Sequence, residues 1–321
     1  MAVGLIVSAG FLVLILRGIN WHLLGSSVRH AAILPLIVAT IVFAGAYAVI
    51  ALRWKVLLSD DRLRFLPLFE ILNIGLVCNL VLPARGGDMV RVVVLSQREG
   101  VRKSTGLATV LLEKLFDVAA LVALLIPALI WVALPRWAML SLWLAVTGVV
   151  AGFIICVALA RSSRDVATLP LFRQMPERIR LRIDGIFAAF RDGLRLLFSW
   201  KRLCSVCLLS LLIWTMNSIA AFFVLSGLHI AHVSLLAMLV VIAIMNLGLI
   251  IPSSPGYIGT YEFLGISALA LFNVAHEPAL EFALVLHALT LLVVVGLGTM
   301  SMMKRGYSLA TASRSAGTVT G

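Results

Sequence analysis

The sequence predicts an all-α, polytopic helical membrane protein, and three observations carry the prediction. Of 321 residues, 62% are hydrophobic and 12% charged, whereas a soluble domain is about half apolar and a quarter charged. The mean hydropathy is +1.11. Apolar runs lie near 2–19, 33–58, 67–82, 105–134, 138–160, 203–228, 233–252, 256–274 and 281–303. Several approach or exceed the ~20 residues that span hydrocarbon. The runs are continuous and do not alternate, which excludes a β-barrel.

The first run, in "MAVGLIVSAGFLVLIL", has no basic stretch ahead of it and no small-residue cleavage site before Trp21. It therefore reads as a transmembrane helix and not as a signal peptide. The net charge of +12 is explained by basic residues collecting in cytoplasmic loops. No basic stripe is interleaved with aromatics, so no nucleic-acid partner is expected. Segment 161–202 holds ten basic and four acidic residues, a net of +6. It is placed in the cytoplasm, as are Arg53–Arg64 and Lys304–Arg305.

These placements constrain the crossings. If 67–82 spanned fully, both the basic stretch 84–103 and segment 161–202 would lie outside. If 67–82 instead enters and turns back at Pro83, the later loops alternate correctly and the C-terminus lands inside. The charge rule thus selects a re-entrant element, about eight crossings in all, and cytoplasmic termini in the inner membrane. Run 256–274 is a second candidate re-entrant element, which on this count would move the C-terminus outside. Residues 1–303 form the membrane domain, and 304–321 read as a disordered cytoplasmic tail. Within 161–202, Ile183, Ile186, Phe187, Phe190, Leu194 and Leu197 recur in steps of three and four, giving one apolar face. This helix either lies in the inner interface or packs beneath the bundle. The four cysteines read as small apolar helix residues. The pair Cys204 and Cys207 has no second pair to complete a metal site, and no cofactor is expected.

Polar chemistry concentrates in three places. In "NLVLPARGGDMVR" (79–91), Pro83 ends an apolar helix, and Gly86 and Gly87 permit a tight turn with positive φ. Asp88 then stands where it could cap the next helix. Arg85, Asp88 and Arg91 would together cost about 8–10 kcal/mol if they faced lipid. They must be paired, wet or bound to a ligand, and arginine's planar fork suits phosphate. The competing reading is a cytoplasmic turn with solvated charges. In "LLEKLFD", Glu113 and Asp117 share one helix face, and Lys114 is spaced to pair with Asp117. Acids on a membrane helix face a cavity or cationic partners, so the cluster either serves a site or fastens helices. In "IPSSPGYIGTYEFLG", Pro252 and Pro255 interrupt an apolar run, Gly256 and Gly259 allow a bend, and Glu262 opens a new helix. Tyr257 and Tyr261 read as interfacial anchors, and so do Arg53 and Trp54. His287, Asn217 and Asn246 read as helix–helix hydrogen-bonding residues. The third stretch loosely echoes the first. Paired broken segments in two halves of a chain are compatible with an inverted-repeat transporter, and they mark its central site.

"RWKVLL", "NLVLPARGGDMVR", "LLEKLFD" and "PSSPGYIGTYE" occur in this order and roughly at these intervals. On these motifs the chain resembles the flippase-like family built on the lysylphosphatidylglycerol synthetase transmembrane region, over about residues 1–303. The resemblance implies a lipid-binding site drawn from Arg53, Asn79, Arg85, Asp88, Arg91, Glu113, Asp117 and Glu262. It places hinges at Pro83, Gly87, Pro252, Pro255, Gly256 and Gly259, to which the residues themselves add Gly86. In two-domain members the membrane region is linked to moving an aminoacylated lipid, while a soluble domain performs the aminoacyl transfer. Only a short tail follows residue 303 here, so that transfer activity is not expected. Stand-alone relatives are associated with polyprenyl-linked glycolipids and hopanoid-type lipids.

Three function classes compete. The first is a lipid transporter or flippase for an anionic or head-group-modified lipid. The second is a membrane-embedded head-group transferase, with Asp88 or Glu113 as base. No metal-ligand set, nucleophile elbow or P-loop supports it, and a non-enzyme is expected. The third is a non-transporting partner of lipid-biosynthesis enzymes.

Overall fold

The computed structural model describes residues 31–82, 86–128, 136–161, 177–194, 198–230, 233–249 and 255–305. Ten α-helices form among them: α1 (Ile33–Leu58), α2 (Phe65–Val81), α3 (Gly86–Glu99), α4 (Lys103–Ala128), α5 (Arg136–Arg161), α6 (Glu177–Leu194), α7 (Trp200–Gly227), α8 (Leu235–Gly248), α9 (Thr260–Ala270) and α10 (His276–Arg305). The protein is all-α and polytopic. The helices of Ile33–Leu58, Leu142–Arg161, Trp200–Gly227 and His276–Arg305 are long and apolar enough to cross a membrane. At 26 residues α4 is as long as α1, but it carries Glu113, Lys114 and Asp117.

The helices of two further couples are too short to span. α2 has 17 residues and α3 has 14. α8 has 14 and α9 has 11. At a 1.5 Å rise per residue these measure about 25, 21, 21 and 16 Å, against roughly 30 Å of hydrocarbon. Each couple folds as a hairpin. At one end of the molecule, Arg305 from the last turn of α10 pairs with Glu70 near the start of α2 at 2.5 Å and with Glu99 at the end of α3 at 3.6 Å. The first hairpin therefore enters and leaves at the same end, as the charge rule required. At the opposite end the Ala32 amide donates to the Gly227 carbonyl at 2.8 Å, joining the start of α1 to the end of α7. α8 begins a few residues beyond Gly227, so the second hairpin enters from this opposite end. Run 233–252, expected as a full span, is one short arm of this hairpin, and run 256–274 is the other. Neither arm is long enough to cross alone, contrary to the expected count of about eight crossings, and α10 ends beside the mouth of the first hairpin.

A long helix, a hairpin and a second long helix thus occur twice in opposite senses, α1–α2–α3–α4 and α7–α8–α9–α10, with α1 packed along α7. This is the inverted pairing that the two broken motifs were compatible with. Each hairpin sits in its own apolar core. Leu68, Ile71, Ile74, Val90 and Val94 of the first pack with Trp54, Leu112 and Val294. Met238, Val241, Met245 and Ala268 of the second pack with Ala220, Val224 and Phe282. The C-terminal turn of α6 docks under the bundle, with Leu194 fully buried and Gly193 against Ala108 of α4. Lys304 and Arg305 complete α10 and do not begin a tail. The N-terminal run and residues 306–321 lie outside the described residues.

The glycines of the first hairpin have a different role from the one expected. Gly86 and Gly87 are helical, and the positive-φ glycines among the described residues are Gly100, Gly256 and Gly259. Gly87 is needed because the two arms touch backbone to backbone. A Cβ there would stand 2.0 Å from the Gly75 carbonyl oxygen and 2.5 Å from the Asn79 amide nitrogen. Nor does Asp88 cap α3. The helix starts two residues earlier, and Asp88 lies in its first turn, where a negative charge complements the helix dipole. Gly87→Ala should destabilise the protein by at least the upper end of the roughly 1–3 kcal/mol cost of overpacking. Thermal unfolding in detergent checks this, and an unchanged midpoint would refute the close contact.

Candidate functional site

The tips of the two hairpins approach each other across a cavity of about 470 Å³. Most of the sequence-predicted residues converge on it. Arg53 from α1, Asn79 from α2, Asp88 and Arg91 from α3, and Glu113 and Asp117 from α4 all line it, joined by Gly256 from the opposite hairpin. Arg85, Pro83 and Pro252 lie outside the described residues. Pro255 opens the short 3-10 turn Pro255–Tyr257 at the second tip.

Each charge has an opposite partner. Arg91 forms a two-pronged pair with Glu113, Nη1 to Oε1 at 3.3 Å and Nη2 to Oε2 at 3.1 Å. The two side chains are 2% and 4% exposed. The Arg91 guanidinium also lies 4.4 Å over the Trp54 ring, a cation–π contact strengthened by desolvation. Trp54 is fixed in turn because its Nε1–H donates to Thr109 Oγ1 at 3.1 Å. Arg53, 1% exposed, donates from Nη1 to Asp117 Oδ1 at 2.6 Å and to Ser210 Oγ at 2.8 Å. Trp214 Nε1–H donates to the same Asp117 oxygen at 3.2 Å, so α1, α4 and α7 meet at one carboxylate. Asn79 donates to Asp88 Oδ1 at 3.3 Å, and Lys114 Nζ lies 3.5 Å from Asp88 Oδ2.

Several expectations are corrected here. Arg53 and Trp54 are not an interfacial belt. They are fully buried, because their helix face is covered by α4 and α7. Lys114 pairs with Asp88 and with Glu113, not with Asp117, since Asp117 is taken by Arg53. Tyr257 and Tyr261 are not interfacial anchors. Both line the cavity, and the Tyr261 ring stacks on His287 at 4.4 Å. Asn217 and Asn246 donate to carbonyls four residues back on their own helices, with no bond across to a neighbour among the described residues. Glu262 accepts the Gly259 amide at 2.6 Å on Oε2 and contacts His287 through Oε1 at 2.7 Å. It thus supports the cavity wall from behind.

Lys114, Trp214 and His287 belong to the site although the sequence did not assign them to it. The available signal was that each is a polar or amphipathic group inside an apolar helix, where such groups face protein or a cavity. Lys114 is 39% exposed and Asp117 19%, so they are the accessible charges of the network. Among the described residues, Nε of Arg53, Nε of Arg91 and Oδ1 of Asn79 are buried without a hydrogen-bond partner. Their hydrogen-bonding capacity is unused in this arrangement.

A family model described as "Lysylphosphatidylglycerol synthase TM region" matches residues 1–298. The chain belongs to that family. It is 24% identical over 273 residues to a UPF0104 membrane protein of Methanothermobacter thermautotrophicus, covering 81% of this chain and 80% of that protein. It is also 28% identical over 265 residues to a protein named Glycosyltransferase AglD of Haloferax volcanii, covering 73% of this chain but 42% of the relative. The match thus reaches less than half the length of the Haloferax protein. No solved structure matches.

Removing one member of a buried pair leaves an uncompensated charge, which costs about 3–5 kcal/mol, whereas replacing both by apolar residues is often close to neutral. Glu113→Ala should therefore lower the unfolding free energy by about that amount. The double variant Arg91→Met/Glu113→Leu should recover most of the loss. Denaturant unfolding in detergent decides it, and a double variant no better than the single would disprove the pairing energetics.

Proposed function

We propose that the protein is a lipid transporter that passes an anionic head group through the cavity between the two opposed hairpins. The observation that carries this reading is the charge-balanced network of Arg53, Arg91, Lys114, Asp88, Glu113 and Asp117 at the junction of broken helices entering from opposite ends. Half-length helices let polar groups reach membrane depth without exposing backbone to lipid. A structure that only fastened helices would have little reason to leave space at that depth.

The chemistry proceeds by exchange of ion-pair partners. A phosphate or other anionic head group entering the cavity meets Lys114 first, because it is the exposed cation. It displaces the Asp88 carboxylate from Nζ and then competes with Glu113 for Arg91. The two-pronged Arg91–Glu113 pair stays closed while the site is empty, so the arginine is never left as a bare buried charge. The acyl chains remain among the apolar side chains of the lining, such as Phe43, Leu72, Leu76 and Leu121. The basic end, carrying Lys55, Arg98, Lys201 and Arg305, faces the cytoplasm on this reading. Family membership supports a role in envelope-lipid processes. The glycosyltransferase name belongs to a relative more than twice the matched length, and no glycosyl transfer is proposed for this chain.

Reconstitution into liposomes with a head-group-labelled anionic phospholipid, read by quenching in the outer leaflet, tests the proposal. Lys114→Gln should slow translocation by roughly ten- to a hundredfold, matching ~1.5–3 kcal/mol for a hydrogen bond to a charged group. Wild-type protein that moves no more lipid than empty liposomes would sink the transporter reading and favour a non-transporting partner of lipid-synthesising enzymes. Formation of a new lipid product would favour an enzyme.

A further inference from the structure

His287 lies in the middle of α10, in the cavity wall opposite the ion-pair network. Both of its ring nitrogens are engaged. Nε2 is 2.9 Å from the Gly256 carbonyl oxygen and Nδ1 is 2.7 Å from Glu262 Oε1. A carbonyl only accepts, so Nε2 carries a hydrogen. The contact at Nδ1 needs a second hydrogen between nitrogen and oxygen, whether it resides on an imidazolium or on a carboxylic acid. The pair therefore holds one proton more than a neutral imidazole beside a carboxylate. Its net charge is zero in this state and −1 once that proton has left to water.

Departure of the proton breaks one of the two contacts. If Nε2 keeps its hydrogen, the Nδ1 lone pair faces a carboxylate oxygen and the Glu262 contact is repulsive. If the hydrogen moves to Nδ1, the Gly256 contact is lost instead. Either change acts on a strained element. Gly256, Tyr257 and Gly259 all have positive φ, at 67°, 59° and 83°. For Tyr257 that conformation is one that L side chains rarely adopt. Glu262 also holds the first turn of α9 through the Gly259 amide. The His287–Glu262 pair is thus the clasp that keeps the tip of the second hairpin in place.

The groups facing this clasp are Tyr261 of α9, Tyr257 of the tip, Thr290 of α10, Tyr47 of α1 and Asn246 of α8. Across the cavity stand Arg53, Asn79, Asp88, Arg91, Glu113, Lys114 and Asp117. Those cations and anions balance one another.

We propose that His287 and Glu262 form a proton-binding site whose deprotonation releases the tip of the second hairpin, so that a proton gradient drives the transporter. The coupling to transport rests on the transporter reading, while the proton site and its clasp stand apart from it. Two measurements separate them. Hydrogen–deuterium exchange of residues 255–264 in purified protein in nanodiscs, normalised to intrinsic rates, should show protection lost as pH rises. Glu262→Gln should stay protected throughout, because its amide donates to Nδ1 and its carbonyl accepts from Gly259. A flat wild-type profile, or equal loss in the variant, overturns the site. Should the variant fail to fold, a flat wild-type profile still overturns it. In liposomes, a pH gradient should accelerate wild-type lipid translocation, and Glu262→Gln should lose that gradient-dependent part. Translocation indifferent to the gradient overturns the coupling and leaves the transporter standing. Absence of translocation under any gradient overturns the transporter and leaves the exchange measurement to decide the proton site.

Discussion

Charge has no place in hydrocarbon, and the structure of this protein is arranged around that constraint. Arg53, Arg91 and Glu113 are each no more than 3% exposed. A single unpaired charge at the bilayer centre costs at least ~2.5–3.5 kcal/mol. Every helix that brings a charge inward must therefore meet another that brings its opposite. Arg53 of α1 requires Asp117 of α4, and Arg91 of α3 requires Glu113 of the same α4. These requirements fix how α1, α3 and α4 are rotated about their axes. Trp54, stacked beneath Arg91 and bonded to Thr109, keeps the rotation from relaxing.

Broken helices supply the space this network needs. A full-length helix in place of α2 and α3 would fill the middle of the bundle. A hairpin of about 25 and 21 Å arms stops short and leaves its polar tip inside. The arms approach closely only because Gly75 and Gly87 lack side chains. The second hairpin repeats the device from the opposite end with different chemistry. It is tied through an acid and a histidine, and not through arginine–carboxylate pairs. The two hairpins therefore differ in kind: one presents arginine–carboxylate pairs, the other a histidine–carboxylate contact.

Much of this was legible in the sequence. Basic loops and crossing parity identified the first hairpin, since a residue-counting rule does not depend on side-chain geometry. The paired proline–glycine–acid motifs located both tips. Asp88, Arg91, Glu113 and Asp117 were picked out because charges in apolar runs are expensive wherever they end up, and Asn79 through the family resemblance. Reading each helix separately misled in specific cases. Arg53 and Trp54 near a helix end looked like a membrane-interface pair, and Tyr257 and Tyr261 looked like anchors. Run 233–252 looked long enough to cross, but its helix ends at Gly248 and turns back.

By itself the sequence determined the helical membrane fold, the family, the presence of two interruptions and which residues cannot face lipid. These follow from composition and from transfer energies, which are properties of residues one at a time. Only the tertiary structure decided who pairs with whom. Lys114 turned to Asp88 because Arg53 had already taken Asp117. Glu262 became the partner of His287, 25 residues away. Partner choice depends on which helix faces which across a cavity, and no single helix carries that information.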